Sequence, residues 1–251
     1  MGTLEGRTVV VTGGNSGLGL GMAEGLGRAG ASVVLWARTP SRNDEAVARL
    51  VEAGVDASAV ACDTGDESSV EEAMRETLSR HRRVDSLFAN AGIAAASPFV
   101  DTDLDEWHRV LRTNLDGTFL CTRAAARHFV ERGDGGSLVV VSSMIARYGG
   151  AGQAAYTTSK TGLLGLGRTL AVELARHQVR VNTLVPGWTA TAMNTHLQVD
   201  ERFMAATTRR TPARRWAQPE EFHEVAVFLA DPTLTFHTGN EVVVDGGYSV
   251  F

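Results

Sequence analysis

Tyr156 and Lys160 stand four residues apart in "YTTSK", at the start of a stretch that reads as helix. That spacing puts both side chains on one face, a turn apart. A phenol titrates near 10 and is a poor proton donor or acceptor at neutral pH unless a nearby cation favours phenolate. Lys160 supplies that cation, and it is the only lysine in a chain whose other 23 basic side chains are all arginine. An ammonium is a compact charge with rotatable donors, able to serve the phenol and to hydrogen-bond vicinal hydroxyls. Arginine's rigid fork does neither job in the same space. Ser143 ends the apolar run "SLVVVSS" at 137–143, and ligand chemistry in open α/β sheets gathers at the carboxyl ends of strands. With no histidine–aspartate pair to activate it, Ser143 reads as a hydrogen-bond donor to a carbonyl and not as a nucleophile. Ser142 beside it is either a structural hydroxyl or an alternative to it.

A second constellation concerns phosphate. The run "TGGNSGLG" at 12–19 lies between an apolar, β-branched strand and a helical pattern. Glycines there permit a tight turn and a close approach of backbone to ligand, and the helix start offers unpaired N–H groups to a pyrophosphate. Strand before and helix after is the context that a dinucleotide site demands. Gly13, Asn15, Ser16, Gly17, Leu18 and Gly19 are therefore candidate cofactor residues. The end of the next strand should approach the adenosine ribose, where NAD-selective sites often carry a carboxylate. This chain reads Ala37, then Arg38. A planar cation suits a 2′-phosphate, so NADP is expected in preference to NAD.

The elements that must position these residues follow from the hydrophobic pattern. Short apolar runs predict strands at 8–11, 32–37, 57–62, 84–90, 137–143, 179–185 and 241–245. Between them, helical periodicity predicts helices at about 17–29, 41–53, 66–80, 103–131, 154–175, 200–208 and 218–230. Repeated strand–helix alternation implies a doubly wound parallel sheet, a three-layer αβα sandwich of Rossmann-like type. At 251 residues, one domain spanning 1–251 is expected. The polar, irregular text from Pro186 to Arg215 is long for a connection in a compact domain, and we read about 188–215 as a lid over a substrate site.

Composition excludes several classes. A formal net charge of −5 gives no general attraction for nucleic acid. Cys62 and Cys121 lack paired spacing, and the seven histidines form no ligand pattern, so neither a metal site nor a redox motif is expected. The start lacks a basic region followed by an apolar run, and no stretch of 18 apolar residues occurs, so no membrane partner and a cytoplasmic location are expected.

Taken in order, "TGGNSGLG", "NAG" at 90–92, "TNLDG" at 113–117, "VVVSS" at 139–143, "YTTSK" at 156–160 and "PGWTAT" at 186–191 resemble the short-chain dehydrogenase/reductase family. The likeness runs over essentially the whole chain. It implies a catalytic tetrad of Asn114, Ser143, Tyr156 and Lys160, with Asn114 anchoring a water that links Lys160 to solvent. It implies pyrophosphate contacts from Gly13, Gly17 and Gly19, and Asp63 and Asn90 beside the adenine, with Ala91 and Gly92 next to them. Pro186, Gly187, Thr189 and Thr191 would border the nicotinamide, while Tyr156 and Lys160 would also touch the cofactor. Thr189 stands where such proteins often have isoleucine. Arg214 stands where they commonly have glycine and is read as pointing into water. The text "SGLGLGMAEGL" and "RTPARRW" is most similar to sugar-acid dehydrogenases; a 3-oxoacyl thioester reductase is the alternative, and a non-catalytic dinucleotide sensor is the rival of another class. An enoyl reductase would resemble a tyrosine–lysine spacing of seven, and seven before Lys160 stands Gln153. Arginines near the lid suit an anionic substrate. Met144, Ala146, Tyr148, Gln153 and Trp188 are candidates to line the pocket, and the family implies a homo-oligomer, tetramer or dimer.

Overall fold

The computed structural model describes residues 4–251. Its strands are β1 (Thr8–Thr12), β2 (Ser32–Ala37), β3 (Ala57–Ala61), β4 (Ser86–Ala89), β5 (Gly136–Val141), β6 (Val179–Pro186) and β7 (Glu241–Val244). All pair in parallel in one sheet of order β3-β2-β1-β4-β5-β6-β7. The helices are α1 (Gly17–Arg28), α2 (Pro40–Glu52), α3 (Glu67–His81), α4 (Leu104–Leu111), α5 (Gly117–Arg132), α6 (Ala154–Leu174), α7 (Thr195–Gln198), α8 (Glu201–Arg210) and α9 (His223–Ala230). Since β1 pairs with both β2 and β4, the winding reverses beside it and leaves a crevice at the carboxyl ends.

Residues of β1, β2, β4, β5 and β6 are buried on both faces, as parallel sheets require, while the edge strands β3 and β7 are mostly half-buried. Val9, Val11, Val33 and Leu35 face a core shared with Met22 and Leu26 of α1, Leu50 of α2 and Ala226 of α9. Val10, Val34, Trp36 and Leu87 face the opposite core, with Val70 of α3, Cys121 and Phe129 of α5 and Leu174 of α6. No helix among the described residues is long and apolar enough to cross a membrane.

Two expected helices are broken. The stretch 103–131 forms α4 and α5 with a π-helical segment, Arg112–Asp116, between them, the Gly117 N–H reaching back to the Arg112 carbonyl. One extra residue per turn re-phases the two halves, so α4 packs on α6 while α5 lies against β4 and β5. The stretch 218–230 starts as a 3-10 turn at Pro219–Phe222, where proline fixes the backbone and the Glu221 side chain caps the Gln218 N–H at 2.8 Å.

Candidate active site

The carboxyl ends of β1, β4, β5 and β6 open into a cleft of about 670 Å³. Gly13, Asn15, Ser16, Gly17, Leu18, Gly19, Arg38, Asn90, Ala91, Gly92, Pro186, Gly187, Thr189 and Thr191 all line it, and so do Ser143, Tyr156 and Lys160. The glycine turn meets the demands of a backbone cradle. Gly13 has φ +62°, and a Cβ on Gly19 would sit 2.4 Å from the Gly13 carbonyl and 2.5 Å from Nδ2 of Asn90. Thr12 Oγ1 accepts the N–H groups of Asn90 and Ala91, both at 2.9 Å, which ties the ends of β1 and β4 together. Asn15 donates to Asn43 at 2.8 Å, and Asn43 donates to the Ala37 carbonyl at 2.9 Å, so the turn is held against the end of β2. These residues fit a dinucleotide. Beside exposed Arg38, the first turn of α2 brings a second exposed guanidinium, Arg42, to the cleft. Sequence reading missed it; its place four residues after Arg38, across the Thr39–Pro40 helix start, is the signal that could have found it.

Two predicted residues stand behind the cleft wall. Asp63 accepts the Gly65 N–H at 3.1 Å and closes a turn, while its neighbours Cys62 and Thr64 line the cleft. Asn114 is fully buried at the centre of the π segment. Its Oδ1 accepts the Ile93 N–H at 2.8 Å, and its Nδ2 donates to the Ile93 carbonyl at 2.9 Å and to Ser159 Oγ at 3.1 Å. Ser159 in turn donates to the Tyr156 carbonyl at 2.7 Å. Asn114 thus joins the loop after β4 to the first turn of α6. Both its side-chain atoms are committed to protein, which leaves its carbonyl, already accepting from Thr118 at 2.8 Å, as the group able to hold a water.

Lys160 is 4% exposed, and its Nζ donates to the Val141 carbonyl at 2.9 Å. Burial pushes its pKa down to about 8. The phenol of Tyr156 is moved the other way: burial raises its pKa, opposed by a hydrogen bond with the Ser143 hydroxyl. The Lys160 ammonium lies 5.8 Å from the Tyr156 ring centroid while donating to Val141, and the Ser143 hydroxyl also acts against the effect of burial on the phenol. Ser142 is the structural hydroxyl of the pair, donating to the Lys160 carbonyl at 2.8 Å.

Above the strand ends, the segment from Trp188 to Ala217 forms a roof. Its base is pinned: the Ala217 N–H donates to the Trp188 carbonyl and the Ala190 N–H to the Ala217 carbonyl, both at 2.9 Å. Trp188 stacks on Trp216 with ring centroids 5.0 Å apart, and Phe203 meets Trp188 edge-on at 5.2 Å. Asn194 takes the Thr191 N–H at 3.1 Å and gives to the Thr189 carbonyl at 2.9 Å, while Gln198 donates to the Thr191 carbonyl at 2.9 Å. The Thr189 hydroxyl bonds the Gly187 carbonyl at 3.2 Å. At the far end, the Arg210 guanidinium sits between two rings, 4.9 Å from Tyr148 and 4.3 Å from Tyr248.

The proposed pocket residues divide. Met144, Gln153 and Trp188 line the cleft. Tyr148 does not, because its hydroxyl donates to the Ser249 carbonyl at 2.8 Å and its ring packs on Arg210. Ala146 packs instead on a small cluster around Met144, Leu164 and Val185. None of the arginines of this segment lines the cleft. Arg210 is held by tyrosines, Arg214 bonds the Arg209 carbonyl, and Arg215 forks onto Glu221 at 2.5 and 2.6 Å. Arg214 is exposed, and its φ of +60° explains why glycine suits that position. His196, on α7, does line the cleft and was missed; an isolated histidine in irregular text carries no periodic signal.

The chain was compared with known proteins. A family model described as enoyl-(acyl carrier protein) reductase matches residues 13–249. The 5-keto-D-gluconate 5-reductase of Escherichia coli (strain K12) is 35% identical over 248 residues, 99% of this chain and 97% of that one. The 3-oxoacyl-[acyl-carrier-protein] reductase of Chlamydia pneumoniae is 32% identical over 245 residues, 98% of each chain. Among solved structures, a gluconate 5-dehydrogenase from Burkholderia cenocepacia J2315 in complex with NADP and tartrate superposes with a TM-score of 0.94 at 32% identity, covering 99% of this chain and 97% of that one.

Proposed function

The chain belongs to the short-chain dehydrogenase/reductase family, and on that premise we propose that it moves a hydride reversibly between NADP, with NAD the lesser partner, and a carbonyl or secondary alcohol of a sugar acid. The observation that carries this reading is the convergence, in one cleft at the strand ends, of a glycine cradle, two exposed arginines and the group Ser143, Tyr156 and Lys160. The sugar-acid assignment is supported by the gluconate-directed relatives.

The dinucleotide, when bound, supplies or accepts the hydride. The chain's own residues manage the oxygen and its proton. Ser143 and Tyr156 line the same cleft, with the Ser143 hydroxyl close enough to the phenol to oppose the effect of burial, and a substrate carbonyl oxygen between them accepts from both hydroxyls. With its pKa raised by burial, Tyr156 holds its proton at neutral pH and yields it as alkoxide charge develops. Lys160 spends one donor on Val141 and keeps two for the hydroxyls of the nicotinamide ribose. Asn114 keeps α6 in place through Ser159. Arg38, with Arg42 beside it, answers the 2′-phosphate. The tyrosine–lysine spacing of four sets the chain apart from the enoyl reductases for which its family model is named.

We further propose one catalytic domain with the lid at about 188–215, working in the cytoplasm as a homo-oligomer, dimer or tetramer. Exposed apolar residues such as Phe99, Val100 and Leu104 suit self-association, and size-exclusion chromatography with light scattering reads the state directly.

Initial rates of NADPH and NADH oxidation against a keto-sugar acid, a β-ketoacyl thioester and an apolar ketone test the reading. NADPH with the keto-sugar acid is expected to be fastest, and Arg38→Ala to lower the NADPH preference about tenfold. A faster thioester would move the assignment to the 3-oxoacyl reductases, and no turnover of any carbonyl would favour a dinucleotide sensor.

A further inference from the structure

Ionisable side chains are few on the cleft wall. Arg38 and Arg42 stand at the end of β2 and the start of α2, Cys62 follows β3, and Tyr156 and Lys160 belong to the catalytic group. The one that remains is His196, and no carboxylate lines the cleft at all. An anionic substrate thus meets no opposing charge, while the roof offers it a single ionisable donor. His196 is exposed on α7, and its ring makes no hydrogen bond or ion pair among the described residues. Neighbouring polar side chains are already taken: Asn194 and Gln198 hold the backbone at Thr189 and Thr191. None of the roof's arginines, which sequence alone suggested for this task, lines the cleft, and Arg210, Arg214 and Arg215 bind tyrosine rings, a backbone carbonyl and Glu221.

We infer that His196 is the residue that selects an anionic substrate, its ring N–H donating to the carboxylate of a keto-sugar acid whose carbonyl lies on Ser143 and Tyr156. This inference rests on the sugar-acid reading above. Either neutral tautomer of imidazole carries one N–H, so the contact exists with or without charge on the ring. Gln153, a neutral amide lining the same cleft, suits the hydroxyls of the chain between carbonyl and carboxylate.

The test compares two six-carbon keto sugars that differ in charge, 5-keto-D-gluconate and neutral 5-keto-D-fructose, each with NADPH. For the unaltered enzyme, the ratio of kcat/KM values is expected to favour the keto acid. His196→Ala should lower that ratio about tenfold, mostly through KM for the acid, as loss of a charge-assisted hydrogen bond predicts. His196→Lys, which returns a cationic donor, should restore most of it. A merely structural role would lower both substrates together and leave the ratio where it was. An unchanged ratio in His196→Ala, with 5-keto-D-gluconate still reduced, overturns the assignment of His196 and leaves the sugar-acid reading standing. If the unaltered enzyme reduces neither keto sugar but accepts a β-ketoacyl thioester, both fall.

Discussion

The floor and the roof of the cleft are built by different means. On the floor, backbone periodicity brings the functional groups together: parallel strands end in register, the glycine turn follows β1, and Tyr156 and Lys160 share a helical face. On the roof, between Trp188 and Ala217, the architecture rests on side chains: the Trp188–Trp216 stack, the Asn194 and Gln198 bonds, and Arg210 between two tyrosines. The floor is costly and rigid, since it buries an ammonium and an asparagine. The roof is half exposed and held by contacts worth about 1 kcal/mol each. Chemistry should therefore be lost through the floor, and substrate recognition through the roof.

The sharpest break is Tyr156→Phe. Removal of the acid while the ring stays in place should cut kcat about 10³-fold with dinucleotide affinity nearly intact, measured by steady-state rates and by titration of NADPH fluorescence. Retained turnover would show that the floor does not do the chemistry. Lys160→Arg keeps the charge but brings a planar fork to a site shaped by Val141 and Gly92, and kcat should fall about 100-fold.

Lys160 also tests how costly the floor is. Its pKa is about 8 in the folded chain and about 10.4 unfolded, so the unfolded state binds more protons between those values and stability rises with pH across that window. Below pH 8 the buried charge costs roughly 3 kcal/mol. Lys160→Met removes that cost but leaves the Val141 carbonyl without its donor, a loss of about 1 kcal/mol. The inactive variant should melt several degrees above the unaltered enzyme at pH 7, and calorimetry should find the gap narrowed at pH 10. An equal gap at both pH values would refute the charge penalty.

On the roof, Arg210→Leu should raise KM for the carbonyl substrate several-fold with kcat within about twofold, because only a lid contact of about 1–2 kcal/mol is lost. An equal loss in kcat would mean that floor and roof are one unit. The smallest effect belongs to Arg214→Gly. Relief of a left-handed φ of +60° and the greater freedom of unfolded glycine nearly offset each other, and a gain below about 1 kcal/mol is expected in chemical denaturation.

The same contrast explains what the sequence disclosed. The strand–helix alternation, the dinucleotide turn and the grouping of Ser143, Tyr156 and Lys160 were legible because short apolar runs, strand ends and a four-residue helical spacing encode them directly. The break around Asn114 was not, since a π segment leaves the apolar pattern of 103–131 intact while adding a residue to one turn. The roles of Tyr148, Arg210 and His196 were hidden for another reason. Each depends on meeting a side chain, a carbonyl or open space distant in sequence, and no local period marks such a meeting.

The lone lysine makes the cleft chemically addressable. Apart from a terminal amine, an amine-selective acylating reagent finds one target in the whole chain, and that target lies in the cleft. With a pKa of about 8, a good fraction of Lys160 is in the nucleophilic form under mildly alkaline conditions. One mass increment per folded chain then counts open clefts, and its suppression by NADPH or substrate counts filled ones, with no need for turnover.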